Sequence, residues 1–249
     1  MKQPLAMETK HWHWTSQRLP EPARVVRWGH FGAPVLLFPT AGGDYEEVER
    51  FHLIGALREL IDAGRIKVYS IDSVGGKHWL RGTDSPEYCS KVQNLFDEYV
   101  YSEVAPLIRS DCRSADIDII ATGASIGAFN SVATLCRHPD VFRLAIGMSG
   151  TFDLSKYLHG RMNRDFHVSS PVHYLPGLEE GPQLARLRQR YVVLPTGQGQ
   201  WEDIGESWRL ANLLGRKGIP NRVDPWGREW DHNWATWRTM LPKYLEEFT

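Results

Sequence analysis

Short continuous apolar runs alternate along the chain with longer stretches in which apolar residues recur every three or four positions. PVLLFPT (34–40), RIKVYSID (65–72), DIDIIATG (116–123), RLAIGMSG (143–150), YVVLPTG (191–197) and NRVDPWG (221–227) read as central strands, the first of them apolar enough to be buried on both faces. HWHWTS and ARVVRWG, earlier in the chain, read as antiparallel strands. Helical periodicity predicts a helix from about Tyr45 to Ala63, with Val48, Phe51, Leu53, Ile54, Leu57, Leu60 and Ile61 as its apolar stripe. It predicts further helices over 86–109, 126–137, 203–217 and 233–247. SVGGKHWLRGTDSP reads as a long loop, and 151–189, with Pro171, Pro176 and Pro182, as an irregular insertion or cap. This alternation predicts an α/β fold, a mostly parallel central sheet with helices on both faces. No repeat or linker divides the 249 residues, so one domain is expected over 1–249.

Composition narrows the function classes. The chain is 42 % apolar and 24 % charged, as ordinary globular proteins are. A net charge of −1 and a pI near 6.8 give no electrostatic reason to expect nucleic acid or an anionic membrane as partner. The basic run RLRQR (186–190) is read as a solvated helix face. Three cysteines without CxxC spacing indicate neither a disulfide framework nor a zinc knuckle. The opening MKQPLAMETKHWHW lacks a signal-peptide core, and no run approaches the roughly 18 apolar residues of a membrane span. A cytoplasmic location is therefore expected. Oligomeric state is left open. Ten tryptophans cluster toward the two ends, in HWHW and WGREWDHNWATW.

Candidate chemistry centres on GASIG, residues 123–127, which fits the G-x-S-x-G nucleophile elbow between a buried strand and a helix. Such a serine sits on a sharp turn with strained backbone angles, and the flanking glycines leave room for close chain passage. The alternative role for Ser125 is a helix N-cap. A nucleophile needs a base that follows it in the chain. His232 comes after the last predicted strand and directly before the final helix, where this fold delivers its general base. His138 reads as a helix-end residue, and His159, His167 and His173 fall in the insertion. The acid should follow the strand before His232; Glu202 is preferred over Asp153 and Asp203, the latter placed to cap a helix. Backbone N–H groups must stabilise the oxyanion: Ile126 supplies one, and Ala41 or Gly42 in FPTAGGDYEE supplies the other. His78, Trp79 and Trp201 are candidates for the substrate pocket. Nothing points to a metal or cofactor: HWH offers two imidazoles without a third ligand, and Gly197-x-Gly199 lacks the third glycine of a dinucleotide fingerprint.

PVLLFPTAGGD, GASIGAFNSVATLCRHPDVFRLAIGMSGTFD, TGQGQWED and HNWATW together resemble the esterase D branch of the α/β-hydrolase superfamily. That branch includes S-formylglutathione hydrolases, antigen 85 mycolyltransferases, siderophore esterases and many bacterial esterases. GQGQWE is similar to the antigen 85 segment ending in the acidic triad residue, which implies Glu202; HNWATW is similar to that group's H-x-W-x-x-W, which implies His232. PTAGG stands where many members carry His-Gly or Asp-Gly, and Ala128 replaces a frequent second glycine. The resemblance implies a serine hydrolase acting on a small-molecule ester or thioester, without cofactor. Acyl transfer to an alcohol on the same triad, and a non-catalytic binding relative with an aromatic face, are the rival expectations.

Overall fold

A computed structural model describes residues 7–249; residues 1–6, part of the opening segment read above for a signal-peptide core, lie outside the described residues. The strands are β1 (Thr9–Trp14), β2 (Ala23–Trp28), β3 (Ala33–Phe38), β4 (Ile66–Ile71), β5 (Ile119–Ala124), β6 (Phe142–Met148), β7 (Tyr191–Thr196) and β8 (Asn221–Pro225). They form one sheet in the order β1-β2-β4-β3-β5-β6-β7-β8. β1 and β2 pair antiparallel, β2 pairs antiparallel with β4, and every later pairing is parallel. This is the expected α/β architecture.

Period-two alternation divides the central strands between two cores. Leu36 and Phe38 of β3 face one cluster with Phe96, Val132 and Leu210; Val35 and Leu37 face the other with Ile54, Trp237 and Leu241. Helices therefore cover both faces. A third, smaller cluster joins Trp79, Ile126, Phe129, Leu154, Leu158 and Phe166 beyond the carboxyl end of the sheet. Among the described residues no helix is long and apolar enough to cross a membrane.

Several elements differ from the sequence expectation. The helix expected over Tyr45–Ala63 is three short helices, Glu47–Arg50, Leu53–Ala56 and Arg58–Asp62, because His52 takes a left-handed backbone, φ 62°. The break changes the helical phase: Leu53 and Ile54 turn inward, while Phe51 stays exposed and stacks on Trp234, ring centroids 4.8 Å apart. The expected long loop after β4 contains a helix, Val74–Arg81. Within it, Gly76 lies where a Cβ would stand 2.9 Å from the Ala41 carbonyl oxygen. Glycine there lets the helix press against the turn after β3. Over 86–109 the helix widens into a π turn at Val100–Val104, ahead of Pro106, which has no amide to offer the preceding turn. Residues 151–189 carry short helices at Arg164–Ser169, Pro171–Tyr174 and Pro182–Leu187.

Candidate active site

Ser125 stands between β5 and the Ile126–Arg137 helix with φ 59° and ψ −120°, a left-handed backbone rare for a residue bearing a Cβ. Its side chain makes no helix-capping hydrogen bond, so the N-cap alternative lacks its defining contact. The turn is held from both sides. Ser125 N–H donates to the Met148 carbonyl at 3.0 Å, and the Ser125 carbonyl accepts from Ala128 N–H at 3.1 Å. Gly127 packs under the end of β3, where a Cβ would stand 2.8 Å from the Pro39 carbonyl oxygen. Ile126 begins the helix, so its N–H is one of the first-turn donors without an intrahelical acceptor.

The turn after β3 carries Ala41 and Gly42. The buried Glu47 carboxylate fixes its start, accepting from Thr40 N–H at 2.8 Å and Thr40 Oγ1 at 2.7 Å. Burial pushes the Glu47 carboxyl above the usual range, although both Thr40 bonds oppose that shift. Ala41 packs against the small cluster that contains Ile126, so the turn and the elbow share a wall.

Glu202 and His232 come together. The Glu202 carboxylate is 1 % exposed, and its Oε2 lies 3.5 Å from His232 Nδ1, an ion-pair separation longer than a usual hydrogen bond. Their loops are clasped by backbone: Gly199 N–H donates to the Trp230 carbonyl and His232 N–H to the Gln200 carbonyl, each at 3.0 Å. Asp231 accepts from Gln200 N–H at 2.6 Å instead of facing His232. Asp203 caps the Ile204–Arg216 helix through Gly205 N–H. Asp153 accepts from Ser155 N–H at 2.8 Å, closing a local turn. Among the described residues neither pairs with His232 as Glu202 does.

Sequence reasoning missed two further residues. Ser149, immediately after β6 and itself left-handed at φ 48°, donates from Oγ to Glu202 Oε1. Trp237 Nε1–H donates to Ser149 Oγ at 3.0 Å, while the Trp237 ring meets the His232 ring edge-on at 5.1 Å. A buried serine ending the strand beside the elbow was the available signal. Because Met148 holds Ser125 by backbone and Ser149 holds Glu202 by side chain, the end of β6 links the elbow after β5 to the Glu202–His232 pair on the loops after β7 and β8.

The pocket candidates separate. Trp79 is buried on the Val74–Arg81 helix, against Tyr157 at 6.0 Å and Phe166 at 6.1 Å. His78, also buried, places Nδ1 2.7 Å from Asp84. Trp201 is 81 % exposed on a left-handed turn beside Glu202. Of the other tryptophans, Trp226 donates to the Tyr244 hydroxyl at 2.8 Å and Trp234 packs between Phe51 and Trp237, so both pack their loops. Among the described residues no group of three His, Cys, Asp or Glu is placed to hold a metal.

A sheet of this topology, with a strained serine after its central strand and a carboxylate–imidazole pair on the following loops, defines the α/β-hydrolase class. The family model described as "Putative esterase" matches residues 56–248, more than half of the chain, and the chain belongs to that family of carboxylic ester hydrolases. Solved structures repeat the fold over nearly their whole length. A ferulic acid esterase superposes with TM-score 0.75 at 17 % identity, covering 98 % of both chains. The S-formylglutathione hydrolase of Agrobacterium tumefaciens gives 0.74 at 12 %, covering 98 % of this chain and 95 % of its own. FphF, a fluorophosphonate-binding serine hydrolase of Staphylococcus aureus, gives 0.66 at 14 %, covering 97 % and 98 %. At such identities the likeness is one of fold. No curated protein matches the sequence significantly.

Proposed function

We propose that the chain hydrolyses a small-molecule carboxylic ester or thioester through an acyl-enzyme on Ser125. Ser125 Oγ attacks the carbonyl carbon while His232 takes its proton; Ile126 N–H, with Ala41 or Gly42 N–H, holds the oxyanion. The tetrahedral adduct collapses, His232 returns the proton to the leaving alcohol or thiol, and the acyl group stays on Oγ. Water, deprotonated by His232, then releases the acid and restores the serine. Glu202 keeps the imidazole oriented and stabilises its protonated form. The observation carrying this reading is the buried Glu202 carboxylate facing His232 at 3.5 Å, with its other oxygen held by Ser149 beside the strained elbow. Residues 151–189 serve as a cap in this reading, supplying Leu154, Leu158 and Phe166 to the wall shared with Trp79 and Ile126.

The test is p-nitrophenyl acetate and butyrate hydrolysis by wild type, Ser125→Ala, His232→Ala and Glu202→Gln, with a fluorophosphonate label located by mass spectrometry. Losses of about 10⁴-fold in kcat and labelling of Ser125 are expected. Turnover that survives Ser125→Ala, or a label on another residue, would overturn the assignment.

A further inference from the structure

At the end of the sheet opposite Ser125, a cleft of about 1040 Å³ opens beside Ala33, the first residue of β3, and Lys67, the second of β4. The six residues of β5 separate the two ends by about 20 Å. Two cations line the cleft although they are almost wholly buried: Arg27 is 5 % exposed and Lys67 4 %. Both converge on Asp111. Arg27 Nη1 lies 3.1 Å from Oδ2 and Lys67 Nζ 3.6 Å from the same oxygen, while Lys10 Nζ donates to Oδ1 at 3.2 Å. One carboxylate thus gathers three cations.

Charge in the cleft does not balance. Among the described residues, Lys10, Arg27, Lys67 and the exposed Arg113 face two carboxylates, Glu8, which pairs with Arg27, and Asp111. Unbalanced cations in a concave, partly desolvated setting raise the local potential for an anion. Donor capacity is also left over. Lys67 has three donors, and among the described residues its ammonium makes one hydrogen bond, to the Asp111 carbonyl at 3.3 Å. Arg27 Nε, buried, has no hydrogen-bond partner among the described residues. Beside His30 and Ser110, the lining also offers flat apolar surface: Trp12, with Lys10 Nζ 4.6 Å from its ring centre, and Phe31, 69 % exposed.

We infer that this cleft is a second binding site, taking a small organic oxyanion. Its carboxylate or phosphate head meets Lys10, Lys67 and Arg113, and its apolar body lies along Trp12 and Phe31. The inference stands independently of the triad, since no residue it uses belongs to that machinery.

Calorimetric titration of the intact protein with phenyl phosphate, benzoate and inorganic phosphate tests it. Saturable one-site binding of phenyl phosphate or benzoate is expected, tighter than inorganic phosphate and weakened by added salt; the tighter of the two organic probes identifies the head group. Lys10→Ala and Arg113→Ala, both at exposed positions, should each weaken binding by about fivefold, and Glu8→Gln should tighten it by about threefold. The inference fails if neither organic probe saturates by about 10 mM. It also fails if affinity is unmoved by these three variants, or if inorganic phosphate binds as tightly as phenyl phosphate. Esterase activity plays no part in the readout.

Discussion

Ser149 ties the proposed acid to the neighbouring strand: it donates to Glu202 Oε1 and receives the Trp237 indole N–H. Ser149→Ala removes the donor, and Trp237→Phe keeps a ring against His232 while removing the indole N–H. Each is expected to lower kcat by about tenfold, near 1.4 kcal/mol, with little change in KM. A purely structural role would leave kcat and KM of the folded fraction unchanged. The strained turn at Ser125 was legible because an elbow motif imposes a five-residue spacing, and the meeting of Glu202 and His232 because chain order limits which loops reach the same sheet end. The contact between Ser149 and Trp237 was not legible, since it joins a strand end to a helix 88 positions away.

At the level of elements, strands were read well and helix boundaries less well. A strand buried on both faces announces itself as an unbroken apolar run, whereas the break at His52 depends on a backbone state that periodicity does not report. The helix at Val74–Arg81 was hidden by Gly75 and Gly76, whose role is close packing. That packing matters for the turn bearing Ala41 and Gly42, which Glu47 secures from its other side. Glu47→Ala frees both Thr40 bonds and should cost about 2 kcal/mol in denaturant unfolding, together with a fall in kcat. Glu47→Gln keeps one acceptor for Thr40 N–H and a donor for the hydroxyl, and should restore most of both. If Gln and Ala behaved alike, hydrogen bonding from position 47 to Thr40 would not be what holds the turn.

For the whole molecule, acid stability should report on Asp111. Burial alone would raise its carboxyl, but bonds from the Tyr69 hydroxyl and Arg27, with Lys10, hold it below the ordinary value of 3.8. A carboxylate depressed in the folded state stabilises above its unfolded value, and that stability is lost as pH falls through the folded one. Asp111→Asn leaves Arg27 and Lys67 buried without their shared anion, so it should cost about 3 kcal/mol at neutral pH. The gap to wild type should close as pH drops below 3.8. Denaturant unfolding between neutral pH and pH 2 decides this; a constant gap would contradict it. The clasp between the loops of Glu202 and His232 has a separate consequence for the molecule as a whole. The proposed nucleophile and oxyanion donors belong to residues 1–150, the proposed acid and base to 190–249. A chain nicked within 151–189 would therefore leave one fragment bearing Glu202 and His232 on loops clasped to each other, and reassembly would have only a single seam to align.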